Sequence, residues 1–100
     1  MNTTIKENAD NILVNLSGDL DTAAAQVTEK EFQPLMAVKN KSITLDCKDL
    51  NYISSSGLRL FLALLKSCKP NCNTLTIENL NDNIKKVFTM TGFSSLFNIK

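Results

Sequence analysis

The chain has 100 residues, 43% of them hydrophobic and 21% charged, with a net charge of +1 and no histidine. That is the length of one domain, able to bury ~60–70% of its unfolded surface. The near-neutral balance, with Lys39, Lys41, Lys66 and Lys69 scattered and no aromatic residues between them, excludes a nucleic-acid surface.

The N-terminal segment Met1–Glu7 has no apolar leader pattern. The longest apolar run, Leu60–Leu65, is far shorter than the roughly 20 residues that span a bilayer. Three cysteines at irregular positions point to reduced thiols. The chain reads as soluble and cytoplasmic, with no membrane partner.

Thr3–Glu7 is a weak first strand, and Asn8–Asn11 carries turn chemistry. Ile12, Val14 and Leu16 alternate with Leu13 and Asn15 as a second strand, so the two form an opening hairpin. Ser17–Asp21 closes it, and Asp21 or Thr22 caps a helix. Ala24, Val27, Leu35 and Val38 form its stripe, with Phe32 and Met36 beside it. Pro34 predicts a kink there, or a break into two short helices.

Ser42–Cys47 is the third strand, with Asp46 at its end and Asp49 in the turn that follows. Ser54-Ser55-Ser56-Gly57 reads as a loop leading into a second helix. That helix carries Leu58, Phe61, Leu62 and Leu65, with Leu60 and Leu64 on another face. Cys68–Asn73 stops it, and Leu75 and Ile77 mark a fourth strand. Asn81 or Asp82 caps a third helix bearing Ile84, Val87 and Phe88, with Gly92 as its C′ residue. Phe93, Leu96, Phe97 and Ile99 pack the tail, and Leu96–Ile99 can add a last short strand. The order implies one α/β domain over residues 1–100, with a mixed four- to five-stranded sheet. The serine stretch falls at a carboxyl end of that sheet, where such folds place their sites.

Much chemistry is excluded. Without histidine there is no Ser-His-Asp triad, and no base stands ready for a serine hydrolase. No phosphate-cradling glycine motif is present. Cys47, Cys68 and Cys72 are too few for a structural zinc site. Asp19, Asp21, Asp46 and Asp49 suit cap, strand-end and turn roles better than a magnesium cluster. The chain therefore reads as a non-enzyme without metal or cofactor. The serine run has two readings, simple N-capping or a functional hydroxyl. Capping accounts for one serine and not for three before a glycine.

Three segments carry a family resemblance. Ser17-Gly18-Asp19-Leu20-Asp21 resembles G-[DE]-[LI]-D, and Asp46 through Leu58 resembles D-L-x-x-V-x-x-[IM]-D-S-[ST]-G-L. Within Val87 through Ile99, the stretch from Gly92 on resembles the closing G-[LF]-x-x-x-[FL]-x-[IV]. In this order and spacing, nearly the whole chain resembles a STAS domain of the single-domain anti-sigma factor antagonists. The resemblance implies a mixed sheet with helices and a binding module switched by phosphorylation. The implied phosphoacceptor is the hydroxyl two residues before the loop glycine, Ser55, with Ser54 and Ser56 beside it. Asp21 matches an acidic residue near the loop. The implied docking face is Asp21, Ser54, Ser55, Ser56, Gly57, Leu58 and Arg59. The implied partners are an anti-sigma factor of the Ser protein kinase type and a Ser phosphatase.

There are two departures from the family pattern. Ser54 stands where the family usually has Asp, and the chain ends at Lys100, where many members continue into another helix. Both also suit a non-phosphorylated STAS adaptor or scaffold subunit of a transporter or signalling complex.

Overall fold

The computed structural model describes residues 1–100. Strands β1 (Asn2–Glu7) and β2 (Asn11–Leu20) are followed by α1 (Thr22–Ala37), β3 (Ser42–Ile53), α2 (Ser55–Cys68), β4 (Thr74–Glu78) and α3 (Asp82–Met90). A 3₁₀ turn at Phe93–Ser95 leads to β5 (Asn98–Ile99). The five strands lie in the order β1-β2-β3-β4-β5. β1 is antiparallel to β2, and every other neighbouring pair is parallel. Each parallel pair is joined through a helix. With strands added in one direction, right-handed crossovers put all three helices on one face of the sheet.

The alternation agrees with that layering. Ile12, Val14, Ile43, Leu45, Leu75 and Ile77 pair across β2, β3 and β4 and are buried. Leu13, Asn15, Thr44, Asp46, Thr76 and Glu78 point to the uncovered face and are only partly buried. The aromatic centre of the core is a chain of rings. Phe61 lies 6.2 Å from Phe88, and Phe88 lies 5.7 Å from Phe97 in an edge contact. The tail is tied down by the Lys100 N–H, which donates to the Ile77 carbonyl at 2.8 Å.

The structure corrects several expectations. β2 and β3 do not stop at Leu16 and Cys47; both continue, to Leu20 and Ile53, through shifts of register at Asn15/Ser17 and Gly18/Asp19. These irregularities stretch the inward spacing from two to three or four, so Leu16 is followed by Leu20, and Cys47 by Leu50 and Ile53. Ser17–Leu20 is therefore strand, and Asp49 pairs with Ser17 instead of turning the chain.

In α1 the buried face is Ala25, Thr28, Phe32 and Leu35, while Val27 is 62% exposed. A buried threonine hides the stripe. Pro34 does not break the helix into two, and α1 runs continuously from Thr22 to Ala37. Pro34 and Lys30 both face solvent, so water can take the Lys30 carbonyl that the proline leaves without a donor. In α2, Leu62 and Leu65 are only partly buried, and the core face is Leu58, Leu60, Phe61, Leu64 and Cys68. Leu96 is 53% exposed; Phe97 takes the inward position.

Two asparagines organise the pole opposite the helix N-termini. Asn71 Nδ2 donates to the last carbonyls of two helices, Met36 at 2.9 Å and Ser67 at 3.0 Å. Asn73 Nδ2 donates to the Val38 carbonyl at 2.9 Å, and its Oδ1 accepts from the Lys41 N–H at 2.8 Å. The chain turns there through a paired helix-end motif. Asn73 N–H donates to the Cys68 carbonyl at 2.9 Å and Cys72 N–H to the Lys69 carbonyl at 3.2 Å, with Cys72 left-handed at φ 59°.

Two measurements follow from this pole. Cys72 occupies a position that glycine fills without steric cost, so Cys72→Gly should gain about 0.5–1 kcal/mol in urea unfolding, after the entropy of the unfolded glycine is subtracted. Asn73→Ala strands a carbonyl and an N–H in a partly buried place and should lose about 2–3 kcal/mol in the same assay.

Candidate functional site

Strands β2 and β3 end side by side, with Leu20 paired to Ile53. The next residue of each caps a helix. Asp21 Oδ1 accepts from the Ala24 N–H at 2.8 Å at the start of α1. Ser54 Oγ accepts from the Gly57 N–H at 3.1 Å at the start of α2. The Ser54 N–H donates back to the Leu20 carbonyl at 2.8 Å, locking the two helix starts together. The third helix begins at the same pole. Asn81 Oδ1 accepts from the Ile84 N–H at 2.9 Å while its Nδ2 donates to the Leu50 carbonyl at 3.0 Å. The sequence marks Asn81 as a candidate cap; its bond to the irregular part of β3 has no local sequence signal.

The serine run is not a loop. Ser54 is the cap, and Ser55, Ser56 and Gly57 are already the first turn of α2. Three serines in a row mask the helix start because each alone is a good N-cap. Their surroundings differ. Ser54 is 8% exposed and its oxygen is committed to the cap. Ser55 is exposed, and Ser56 is half-buried. Gly57 sits against the strand ends. A Cβ there would lie 2.8 Å from both Ile53 Cγ1 and Leu20 Cγ, so any side chain collides with the core.

Of the residues singled out from sequence, Asp21, Ser55 and Arg59 reach the surface together with part of Ser56. Ser54, Gly57 and Leu58, the last 6% exposed, face the interior. They lie beneath this surface, so the exposed set is smaller than the seven residues named from the sequence. Beside it runs a groove of about 420 Å³ between α1 and α2. Ser56, Arg59 and Ala63 line one wall, and Ala25, Glu29 and Met36 the other. Sequence reasoning misses Glu29 and Met36 as neighbours of the serine end, because nothing local to α1 reports its packing against α2.

The other candidate chemistries are dispersed. The side chains that could ligate a metal do not gather into a group of three or more. Asp46 Oδ1 instead accepts from Asn79 Nδ2 and from the Lys48 N–H, both at 3.0 Å. Burial, with Asp46 adding to it, pushes the Cys47 thiol up to about 12, and burial also raises Cys68. Both therefore stay protonated and poor as nucleophiles. No helix is long and apolar enough to cross a membrane.

The glycine position yields a direct check. Gly57→Ala gains helix propensity of about 1 kcal/mol but forces Leu20 and Ile53 apart, a cost of about 1–3 kcal/mol. The expected outcome is a net loss of stability in urea unfolding, with Ser56→Ala, which meets no such contact, close to unchanged.

Comparison with known proteins places this arrangement. The family profile described as STAS domain matches residues 2–100. The anti-sigma-B factor antagonist of Bacillus subtilis (strain 168) is 30% identical over 99 residues, covering 99% of this chain and 90% of that protein. An anti-sigma factor antagonist from Mycobacterium paratuberculosis superposes with a TM-score of 0.87 at 16% identity, over 98% of this chain and 83% of that one. The Bacillus anti-sigma factor antagonist SpoIIAA superposes in its unphosphorylated form with a TM-score of 0.76 at 17% identity, over 99% and 87%. In its phosphorylated form the TM-score is 0.75 at 18% identity, over 99% and 91%.

Proposed function

We propose that this chain, which belongs to the STAS domain family, is a cytoplasmic anti-sigma factor antagonist whose docking face is switched by phosphorylation of Ser55. Unmodified, it binds an anti-sigma factor of the Ser protein kinase type and so releases a sigma factor. Phosphorylated, it is rejected, and a Ser phosphatase restores it. The observation that carries this reading is the placement of Ser55. It has an exposed side chain in the first turn of α2, between a serine committed to capping and a half-buried one. A relative named an anti-sigma-B factor antagonist over nearly the whole length supports it, as does a structural neighbour solved with and without phosphate.

The transfer step belongs to the kinase. Ser55 Oγ attacks the γ-phosphorus of ATP, and the Oγ–P bond forms. The bond from that phosphorus to the β–γ bridging oxygen breaks, ADP leaves, and the hydroxyl proton passes to a base of the kinase. This chain supplies only the nucleophile.

The consequence is electrostatic. A phosphoserine carries about −1.5 to −2 charges at neutral pH. The open N–H groups and dipole of a helix start favour an anion, so the free fold keeps its shape. The penalty falls on the complex, where the dianion must be stripped of water. Moving occupancy from 99:1 to 1:99 takes about 5.5 kcal/mol, and a buried unpaired charge is of that order.

The test is incubation with the anti-sigma kinase and ATP, mapping by mass spectrometry, and titration of variants against the same kinase. Phosphate should appear on Ser55, Ser55→Ala should bind like the wild type, and Ser55→Asp should bind at least about 100-fold more weakly, as the kinase meets a fixed charge. Modification of none of the three serines together with full binding by Ser55→Asp overturns the switch. Recovery of the chain in a transporter complex in the same cells would then favour the adaptor reading that Ser54, in place of an acidic residue, allows.

A further inference from the structure

Arg59 is the cation of this face, and its position relative to Ser55 is specific. The two residues stand four apart on α2, both exposed. On a helix that spacing puts the Cβ atoms about 5–6 Å apart on one face. Helical side chains lean toward the N-terminus, so the guanidinium of residue 59 tilts toward residue 55. The anion-first, cation-second order is also the favourable one for such a pair. The side-chain hydrogen bonds around α2 run through Ser54, Ser67 and Asn71, and Arg59 takes part in none of them. Its charged neighbour across the groove is Glu29 on α1.

We propose that Arg59 is an intramolecular clamp for the phosphoryl group on Ser55. Modification then changes the docking face twice. It adds an anion at Ser55, and it draws the guanidinium out of the α1–α2 groove to pair with that anion. A partner that reads Arg59 with a carboxylate of its own loses the contact at the moment it meets the phosphate. The fork of the guanidinium suits two phosphate oxygens at once, which a lysine would not match. Arg59 is a positioning residue here and takes no part in the transfer itself. The inference rests on Ser55 being the acceptor, and it names what holds the modified state.

The experiment uses the full chain carrying phosphoserine at position 55, made by genetic encoding, so that no kinase is needed. The phosphate is titrated by ³¹P NMR in the wild type, in Arg59→Gln and in Lys85→Gln, an exposed cation of α3 outside this face. Glu29 across the groove and Asp21 at the start of α1 push the phosphate toward protonation, and the start of α2 pulls the other way. Comparison with Arg59→Gln isolates the guanidinium. The expected result is that the wild-type phosphate loses its second proton about 0.3 pH units lower than in Arg59→Gln, the size of an exposed i,i+4 pair. Lys85→Gln should titrate like the wild type, and Arg59→Lys should recover part of the shift. Equal titration in wild type and Arg59→Gln, or an equal effect from Lys85→Gln, overturns the clamp. Titration of the unmodified wild type against the anti-sigma kinase runs alongside. A failure to bind there counts against the antagonist reading, while the ³¹P comparison still decides for or against the clamp by itself.

Discussion

The site depends on one close approach. β2 and β3 finish together at Leu20 and Ile53, and α2 begins directly against both because residue 57 has no side chain. The Ser54 N–H then reaches the Leu20 carbonyl, and Ser54 Oγ reaches the Gly57 N–H. These contacts fix where the first turn of α2 lies and how it is rotated. With Gly57 and Leu58 turned inward, the helical period leaves Ser55 and Arg59 outward. The exposed hydroxyl is thus a consequence of core packing beneath it: the buried residues of the turn present the exposed ones.

The sheet explains why this arrangement sits at one end. Parallel strands bring their carboxyl ends to the same pole, and β2, β3 and β4 are each followed by a helix whose free N–H groups face that pole. Asp21, Ser54 and Asn81 satisfy one N–H each. At the other pole the orphan groups are carbonyls, and the residues change accordingly: Asn71 and Asn73 point amide donors at the ends of α1 and α2 and the start of the next connection. One pole is closed by its own hydrogen bonds. The other keeps N–H groups and a hydroxyl open to an incoming molecule.

Regular stretches are legible in the sequence, and irregular ones are not. Ile12-Val14-Leu16 and Leu75-Ile77 alternate cleanly and read as strands. The second halves of β2 and β3 escape because each shift of register breaks the period that identifies a strand. Pro34 misleads, since a proline disturbs a helix less when the carbonyl it strands faces water. Thr28 is hard to recognise as a core residue because its hydroxyl suggests surface. At the site, the segment and the glycine are visible from residue types alone. Which serine is buried, which caps and which is free follows from the rotation of α2 about its axis. That rotation comes from packing against Leu20 and Ile53, which no short window of sequence contains.

Ser54 stands where the related pattern has a carboxylate, and the exchange has electrostatic consequences. A charged cap would bring an anion within a residue of any phosphate on Ser55 and would already neutralise the partial positive charge of the helix start. The neutral hydroxyl caps the same N–H without doing either. Under the proposed switch, more of the helix's positive potential would be left for a phosphate on Ser55, and Arg59 would meet one anion on its own helix instead of two. The substitution removes a repulsion from the modified state and costs the unmodified state no hydrogen bond. The departure from the family pattern is therefore compatible with the proposed acceptor at Ser55: the neutral cap keeps the bond to the Gly57 N–H and adds no charge beside the neighbouring hydroxyl.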